Sequence, residues 1–273
     1  MDRSQIENAV WNKVMLARHP KRPTAKSLIN YLITSFVELH GDRLYRDDPS
    51  VIGGIGFLGD MPVTIIGQEK GENTIEKIKK NFGMLHPEGY RKALRLMKQA
   101  EKFSRPVILI IDTPGAYPGV GAEERGQGSA IATNLTEMIN LKTPLISIVL
   151  GEGGSGGALG FGVTDEIWMF ENATYSILSP EGFASILYKD ASRAKEAASV
   201  MRITAQDLYG FGIIDKIIPE VEGGLHLNPE YSFSILKTAL IEKLKELKAI
   251  DVETLLLNRY NKFRKIGVYE ENR

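Results

Sequence analysis

The chain contains no cysteine among its 273 residues. Disulfides, a cysteine nucleophile and a thiolate zinc site within this chain are thereby excluded. Net charge is also missing: 34 Lys+Arg stand against 34 Asp+Glu. This balance gives no global attraction to nucleic acid or to an anionic membrane, though a local basic patch remains compatible with it. No run of about 18 or more apolar residues occurs, so no membrane span is expected. The first residues, Met-Asp-Arg-Ser-Gln-Ile-Glu-Asn, lack the apolar stretch of a signal peptide, and the cytosol is the expected location. Histidine is scarce, with only His19, His40, His86 and His226. No low-complexity linker or solenoid repeat divides the chain. At 43% hydrophobic residues the core can be substantial. A single domain over 1–273 is expected, with an N-terminal helical arm over 1–45 and C-terminal helices over 230–273.

Glycine is abundant and clustered. Six of the ten residues from Gly151 to Gly160 are glycine, directly after the apolar run Pro144 to Leu150. That run predicts a buried strand, and a glycine cluster at its end exposes bare backbone N–H groups. A helix beginning near Ala158 and Leu159 would add unpaired N–H donors and a partial positive charge. Such a loop can serve as an oxyanion hole without any side chain. The same order occurs about forty residues earlier. The run Pro106 to Ile111 leads into Asp112-Thr-Pro-Gly-Ala-Tyr-Pro-Gly-Val-Gly121, followed by helical spacing over 123–141. Two strand–loop–helix repeats would place two loops at one end of a sheet, where α/β proteins bind ligands.

Elsewhere the pattern predicts helices over 3–18 and 24–40, split by Pro20-Lys-Arg-Pro23. A hairpin is expected over 52–58 and 63–69, turning at Gly59-Asp60, then an exposed loop or helix over 70–80. Helix follows over 88–103, with short strands at 166–170 and 174–178. Pro180 opens a helix, 191–211 reads as helical, and 232–249 and 252–263 as amphipathic helices.

Several motifs carry rival readings. Gly54-Ile-Gly56-Phe-Leu-Gly59 fits the dinucleotide fingerprint, but a turn and strand follow it instead of a helix. Gly153-Gly-Ser155-Gly-Gly157 fits the nucleophile elbow of serine hydrolases. Their residue order leaves only His226 as base, in a predicted loop, so Ser155 reads better as a small residue in a backbone-donor loop. Lys98, beside Met97, faintly suggests a biotinylated lysine but lies in a helical pattern. Glu123 and Glu124 read as helix N-terminal acids, with Arg125 free to pair with an acid.

Three tracts closely resemble the α subunit of bacterial acetyl-CoA carboxylase carboxyltransferase. They are Asp112 to Gly126, Gly151 to Leu159, and Ser179-Pro-Glu-Gly182 with Ala184-Ser-Ile-Leu187. Asn81-Phe-Gly-Met84, Pro87 to Met97 and Ala17-Arg-His-Pro20 are similar too. The likeness runs from about Trp11 to the C-terminus. The longer members carry an additional N-terminal helical segment, which this chain mostly lacks, and that puts N-terminal assembly contacts in question.

The resemblance implies a crotonase-like α/β fold, also that of Clp-type peptidases: a spiral of ββα units with flanking N- and C-terminal helices. It implies transfer of a carboxyl group from carboxybiotin, held on a separate biotin carboxyl carrier protein, to acetyl-CoA, giving malonyl-CoA. It implies a carboxyltransferase β subunit as partner, two α with two β, and biotin carboxylase in the full complex. No metal is implied for this chain; zinc belongs to β. The biotin-side hole is carried onto the amides of Gly156 and Gly157. Gly115, Ala116, Tyr117, Pro118, Gly119, Gly154 and Ser155 are carried over as substrate-binding. Beside such a hole, Tyr117 and Pro118 could wall a pocket for a flat bicyclic ring. Two rivals share the fold: a non-catalytic homologue, and a CoA hydratase or isomerase using Glu152, Glu124 or Glu123.

Overall fold

Hydrophobic patterning and capping chemistry account for most element boundaries in a computed structural model of the chain, which describes residues 2–267. Helix α1 (Arg3–Ala17) opens with a reciprocal capping box between Asp2 and Gln5. Helix α2 (Ala25–Leu32) stops short of the expected 24–40 span. Its amphipathic face ends at Leu32, and strand β1 (Thr34–Glu38) follows, with Ser35 in the left-handed region at φ +51°. Thr34, Phe36 and Val37 favour a strand, and a bulge between Thr34 and Val37 lets β1 pair with β2 (Val51–Leu58). The arm expected over 1–45 is therefore helical only to Leu32.

The hairpin forms as the pattern predicts. Strand β3 (Met61–Gln68) pairs antiparallel with β2, and Leu58 lies opposite Met61 across Gly59-Asp60. The fingerprint glycines belong to this hairpin. A Cβ on Gly54 would lie 2.2 Å from Val37 O, and one on Gly56 would lie 2.3 Å from Ile33 Cγ2. They are glycine because β1 crosses them closely.

Helices α3 (Thr74–Lys79) and α4 (Pro87–Lys102) come next, then β4 (Val107–Thr113). The helix expected over 123–141 is two: α5 (Val120–Glu124) and α6 (Gln127–Met138). They break at Gly126, whose φ of +80° suits glycine. Strand β5 (Leu145–Gly154) is longer than the apolar run implied, and α7 (Ser155–Leu159) begins three residues before Ala158. The glycines do not end the ladder. Glu152, Gly153 and Gly154 pair with β7 (Thr174–Ser176), while Ile146 to Val149 pair with β6 (Glu166–Phe170).

Pro180 opens α8 (Pro180–Leu187), as expected. The 191–211 helix is broken. Helix α9 (Ala194–Met201) ends at a left-handed Arg202, and α10 (Ala205–Gly210) restarts on a Thr204 cap. Strand β8 (Lys216–Ile218), α11 (Pro229–Ala249) and α12 (Val252–Arg264) complete the order. The expected C-terminal region beyond residue 267 lies outside the described residues.

Among the described residues one eight-stranded sheet runs β1–β2–β3–β4–β5–β6–β8, with β7 beside β5. From β3 onward neighbours are parallel. Strand β4 is buried throughout, so it reads as a continuous apolar run. Because β4 and β5 are adjacent and parallel, the loops that follow them emerge side by side. No described helix is long and apolar enough to cross a membrane.

Candidate active site

The two loops touch through bare backbone. A Cβ on Gly154 would lie 2.1 Å from Pro114 O, and one on Gly157 would lie 2.5 Å from the Gly115 carbonyl carbon. Any side chain at either position would push the loops apart. Gly156 differs: the nearest atom to a Cβ there is Ile131 Cδ1 at 3.7 Å. Its free side borders a groove of about 550 Å³, lined by Ser155, Leu159, Tyr175, Ile177 and Phe263 among others.

Gly156 and Gly157 fall in the first turn of α7, where backbone amides have no carbonyl to reach within the helix. The turn is anchored from below. Gln68, fully buried at the end of β3, donates from Nε2 to Gly157 O at 2.7 Å. Its Oε1 accepts from Asp112 N at 3.1 Å, so one side chain ties β4 to α7. Tyr90 Oη adds a longer bond, 3.4 Å, to the same Gly157 carbonyl. Burial pushes the Tyr90 phenol well above its ordinary range, so it stays a hydrogen-bond donor.

The first loop is as firmly held. Thr113 Oγ1 donates to Gly115 O at 2.6 Å and accepts from Gly115 N at 3.1 Å. Tyr117 N donates to Leu85 O at 3.0 Å, and Gln127 Nε2 reaches both Leu85 O and Tyr117 O. Gly119 approaches Tyr117 so closely that a Cβ would lie 2.3 Å from Cε1. Ala116 packs against the core, and Pro118 is exposed.

Charged side chains gather at the ends of β4 and β5. Lys70 bridges Asp112 and Glu152, each at 2.8 Å. Arg18 joins Glu152 at 2.7 Å to Glu181 at 2.6 Å. Burial alone would raise the Glu152 carboxyl, but Lys70 and Arg18 together hold it below its usual value. Burial likewise opposes ionisation of Glu181, and its Arg18 bond brings it below the ordinary value. Lys70 goes the other way: burial would lower it, and its two carboxylate partners leave it raised. Glu152 is thus a locked carboxylate and not a proton donor, which counts against its use as a hydratase acid. Glu123 and Glu124 are exposed on α5, and Arg125 bonds to buried Glu88 at 3.0 Å instead.

Ser155 is exposed, with φ of +53°, and its hydroxyl has no hydrogen-bond partner among the described residues. His226 does not serve it through Nδ1. That atom is buried without a partner, and the ring stacks on His19 with centroids 3.7 Å apart. Lys98 lies in α4 and pairs with Glu137 at 2.6 Å, as an ordinary surface lysine does. Among the described residues no group of three or more His, Cys, Asp or Glu could hold a metal ion.

Arg18, Gln68, Lys70 and Tyr90 escaped the sequence reading as site residues. Arg18 and Tyr90 lie inside the family-like tracts Ala17 to Pro20 and Pro87 to Met97. Gln68 to Lys70 are polar residues at the end of an apolar strand, which is where a site residue would be sought.

Residues 4–267 match the family described as acetyl co-enzyme A carboxylase carboxyltransferase-like. The chain is 62% identical over 267 residues to the acetyl-coenzyme A carboxylase carboxyl transferase subunit alpha of Clostridium perfringens, covering 97% of this chain and 98% of that one. A protein of the same name from Clostridium botulinum is 60% identical over 268 residues, covering 98% of each. Among solved structures, a chain of transcarboxylase 12S superimposes with a TM-score of 0.66 at 17% identity. That match covers 83% of this chain and 44% of the longer one, and it shows a shared crotonase-like α/β fold.

Proposed function

Because this chain belongs to the family of acetyl-CoA carboxylase carboxyltransferase alpha subunits, we propose that it forms the biotin-side half of a carboxyltransferase site completed by a β subunit. The product is malonyl-CoA, which fatty acid synthesis consumes. When bound, carboxybiotin supplies the carboxyl group, and the biotin nitrogen left behind takes the proton that the acetyl methyl loses. The residues present fit such a ligand. The amides of Gly156 and Gly157 can donate to a ureido oxygen on which negative charge grows. Each such donor is worth roughly 3 kcal/mol where its removal has been measured in another enzyme. The groove beside Gly156 offers apolar walls for a flat ring and its aliphatic arm. Ser155 borders this groove, while Gly115 and Ala116 pack on Gly157 at the base of the turn and Gly154 meets Pro114.

The observation that carries this reading is the contact of Gly154 and Gly157 with the first loop. It fixes the α7 amides in place before any ligand arrives, which is what electrostatic preorganisation requires. No side-chain base is needed. The partner set is β in two copies with two of this chain, the biotin carboxyl carrier protein, and biotin carboxylase in the whole complex, in the cytoplasm. The test is to mix this chain with its β partner and follow malonyl-CoA decarboxylation with free biotin as acceptor. Turnover that needs both chains and biotin supports the reading; none from a well-formed complex sinks it.

A further inference from the structure

The first loop leans on a segment that this chemistry does not use. Asn81, Phe82 and Gly83 have φ of +46°, +55° and +81°. Three left-handed residues in a row, one of them a bulky Phe, form a conformation that the surroundings must impose. The surroundings are visible: a Cβ on Gly83 would lie 2.6 Å from Asp112 O, so the turn is wedged against the end of β4.

From that turn Asn81 Nδ2 reaches His86 Nδ1 at 3.1 Å. An amide nitrogen only donates, so Nδ1 accepts and the ring proton sits on Nε2. Burial moves His86 below its ordinary value against the pull of Asp48 and Glu88, which keeps the ring neutral and able to accept. Backbone N of His86 is fixed by Asp48 Oδ2 at 2.8 Å. The oriented imidazole stacks on Tyr117, centroids 4.2 Å apart and planes at 23°. Tyr117 is thereby held at its ring by His86 and at its backbone by Leu85 and Gln127.

We propose that His86 is a positioning residue: its ring, oriented by Asn81, fixes Tyr117 and with it the 115–119 loop, whose Gly115 and Ala116 pack on Gly157. This role presupposes that the chain is the biotin-side half of a carboxyltransferase. His86 acts through Tyr117 and touches no reacting atom. A ring that only filled space would affect both substrates alike, whereas a ring that sets the loop packed on Gly157, the proposed biotin side, affects one.

The experiment uses the complex with the β subunit and the malonyl-CoA decarboxylation assay. His86→Ala should raise KM for biotin about 10-fold and leave KM for malonyl-CoA within about twofold. His86→Phe keeps a stacking ring and should return KM for biotin to within about threefold of wild type. If His86→Ala does not fold, His86→Gln keeps an acceptor for Asn81 without a ring, and the same biotin-side rise is expected. An unchanged KM for biotin in a folded ring-less variant overturns the proposal. So does a parallel rise in both KM values, or failure of Phe to rescue. An inactive wild-type complex would instead sink the carboxyltransferase reading, so the two failures are distinguishable.

Discussion

At Gly157 the missing side chain is a packing requirement and, on the proposed reading, a catalytic one. Gly157→Val would drive its Cβ into the Gly115 backbone, 2.5 Å away, and part the two loops. We expect kcat to fall at least about 100-fold, the scale of a lost oxyanion donor. Gly156→Ala is the control, since its Cβ meets only Ile131 at 3.7 Å. It should fold normally and lose less activity than Gly157→Val; near-normal turnover in a folded Gly157→Val complex would refute the donor assignment. Ser155→Ala separates backbone from serine catalysis. It removes one unpartnered hydroxyl and leaves every N–H in place, so the loss should stay within about 10-fold, or about 1.4 kcal/mol. Loss of a nucleophile costs several orders of magnitude. A collapse in rate, together with fluorophosphonate labelling of Ser155, would establish the hydrolase reading. Glu152 carries a pH signature. Its folded-state pKa is depressed, so its stabilising effect is present above the unfolded value of about 4.3 and lost as pH falls through the folded value. The Tm gap between wild type and Glu152→Gln should be full at pH 7 and shrink below about pH 4.

Helix α12 shows how one residue seats an element. Arg259 is 1% exposed and forks onto Asp165, with both contacts at 2.8 Å. Its remaining donors reach Met138 O, Leu141 O and Thr143 O at 2.8–2.9 Å. These carbonyls lie at the end of α6 and in the connection to β5, so α12 is bolted to the base of the strand that carries the glycines. Asp165 Oδ2 also accepts from Leu145 N at 2.7 Å. Arg259→Met would strand a buried carboxylate and should cost about 3–5 kcal/mol in urea unfolding. Arg259→Lys should not restore it, because an ammonium cannot make the planar fork. A loss below about 1 kcal/mol would show that α12 is held by its apolar face instead.

At the scale of the whole molecule, the sheet delivers two loops to one place and, on the proposed reading, a pair of anion donors with them. The chemistry proposed has two oxyanions, the biotin ureido oxygen and the enolate of the thioester. One loop pair serves one of them. The isolated chain should therefore show no carboxyltransferase activity, and activity should appear on adding the β subunit. Robust turnover by the purified chain alone would contradict a half-site.

Much of this was legible from residues in a row. Apolar runs ending in glycine announced β4 and β5 and their neighbouring loops, because a buried parallel strand needs an unbroken apolar run and a close approach needs glycine. The hairpin and the Pro180 helix start followed from local rules of the same kind. Boundaries set by distant partners were not legible. The continuation of β5 through Gly154 depends on pairing with β7, and the conversion of 34–38 from helix to strand depends on the edge offered by β2. The breaks within 123–141 and 191–211 depend on left-handed residues, Gly126 and Arg202, that tertiary packing selects. The sequence by itself determined which segments are glycine-rich loops at strand ends and which are core. Only the tertiary structure decided that Gln68 would hold the Gly157 carbonyl, that Arg18 and Lys70 would lock Glu152, and that His86 would meet Tyr117. Those contacts join residues 31 to 134 positions apart in the chain. No local periodicity encodes them; they exist because parallel strands bring separate loops to one edge.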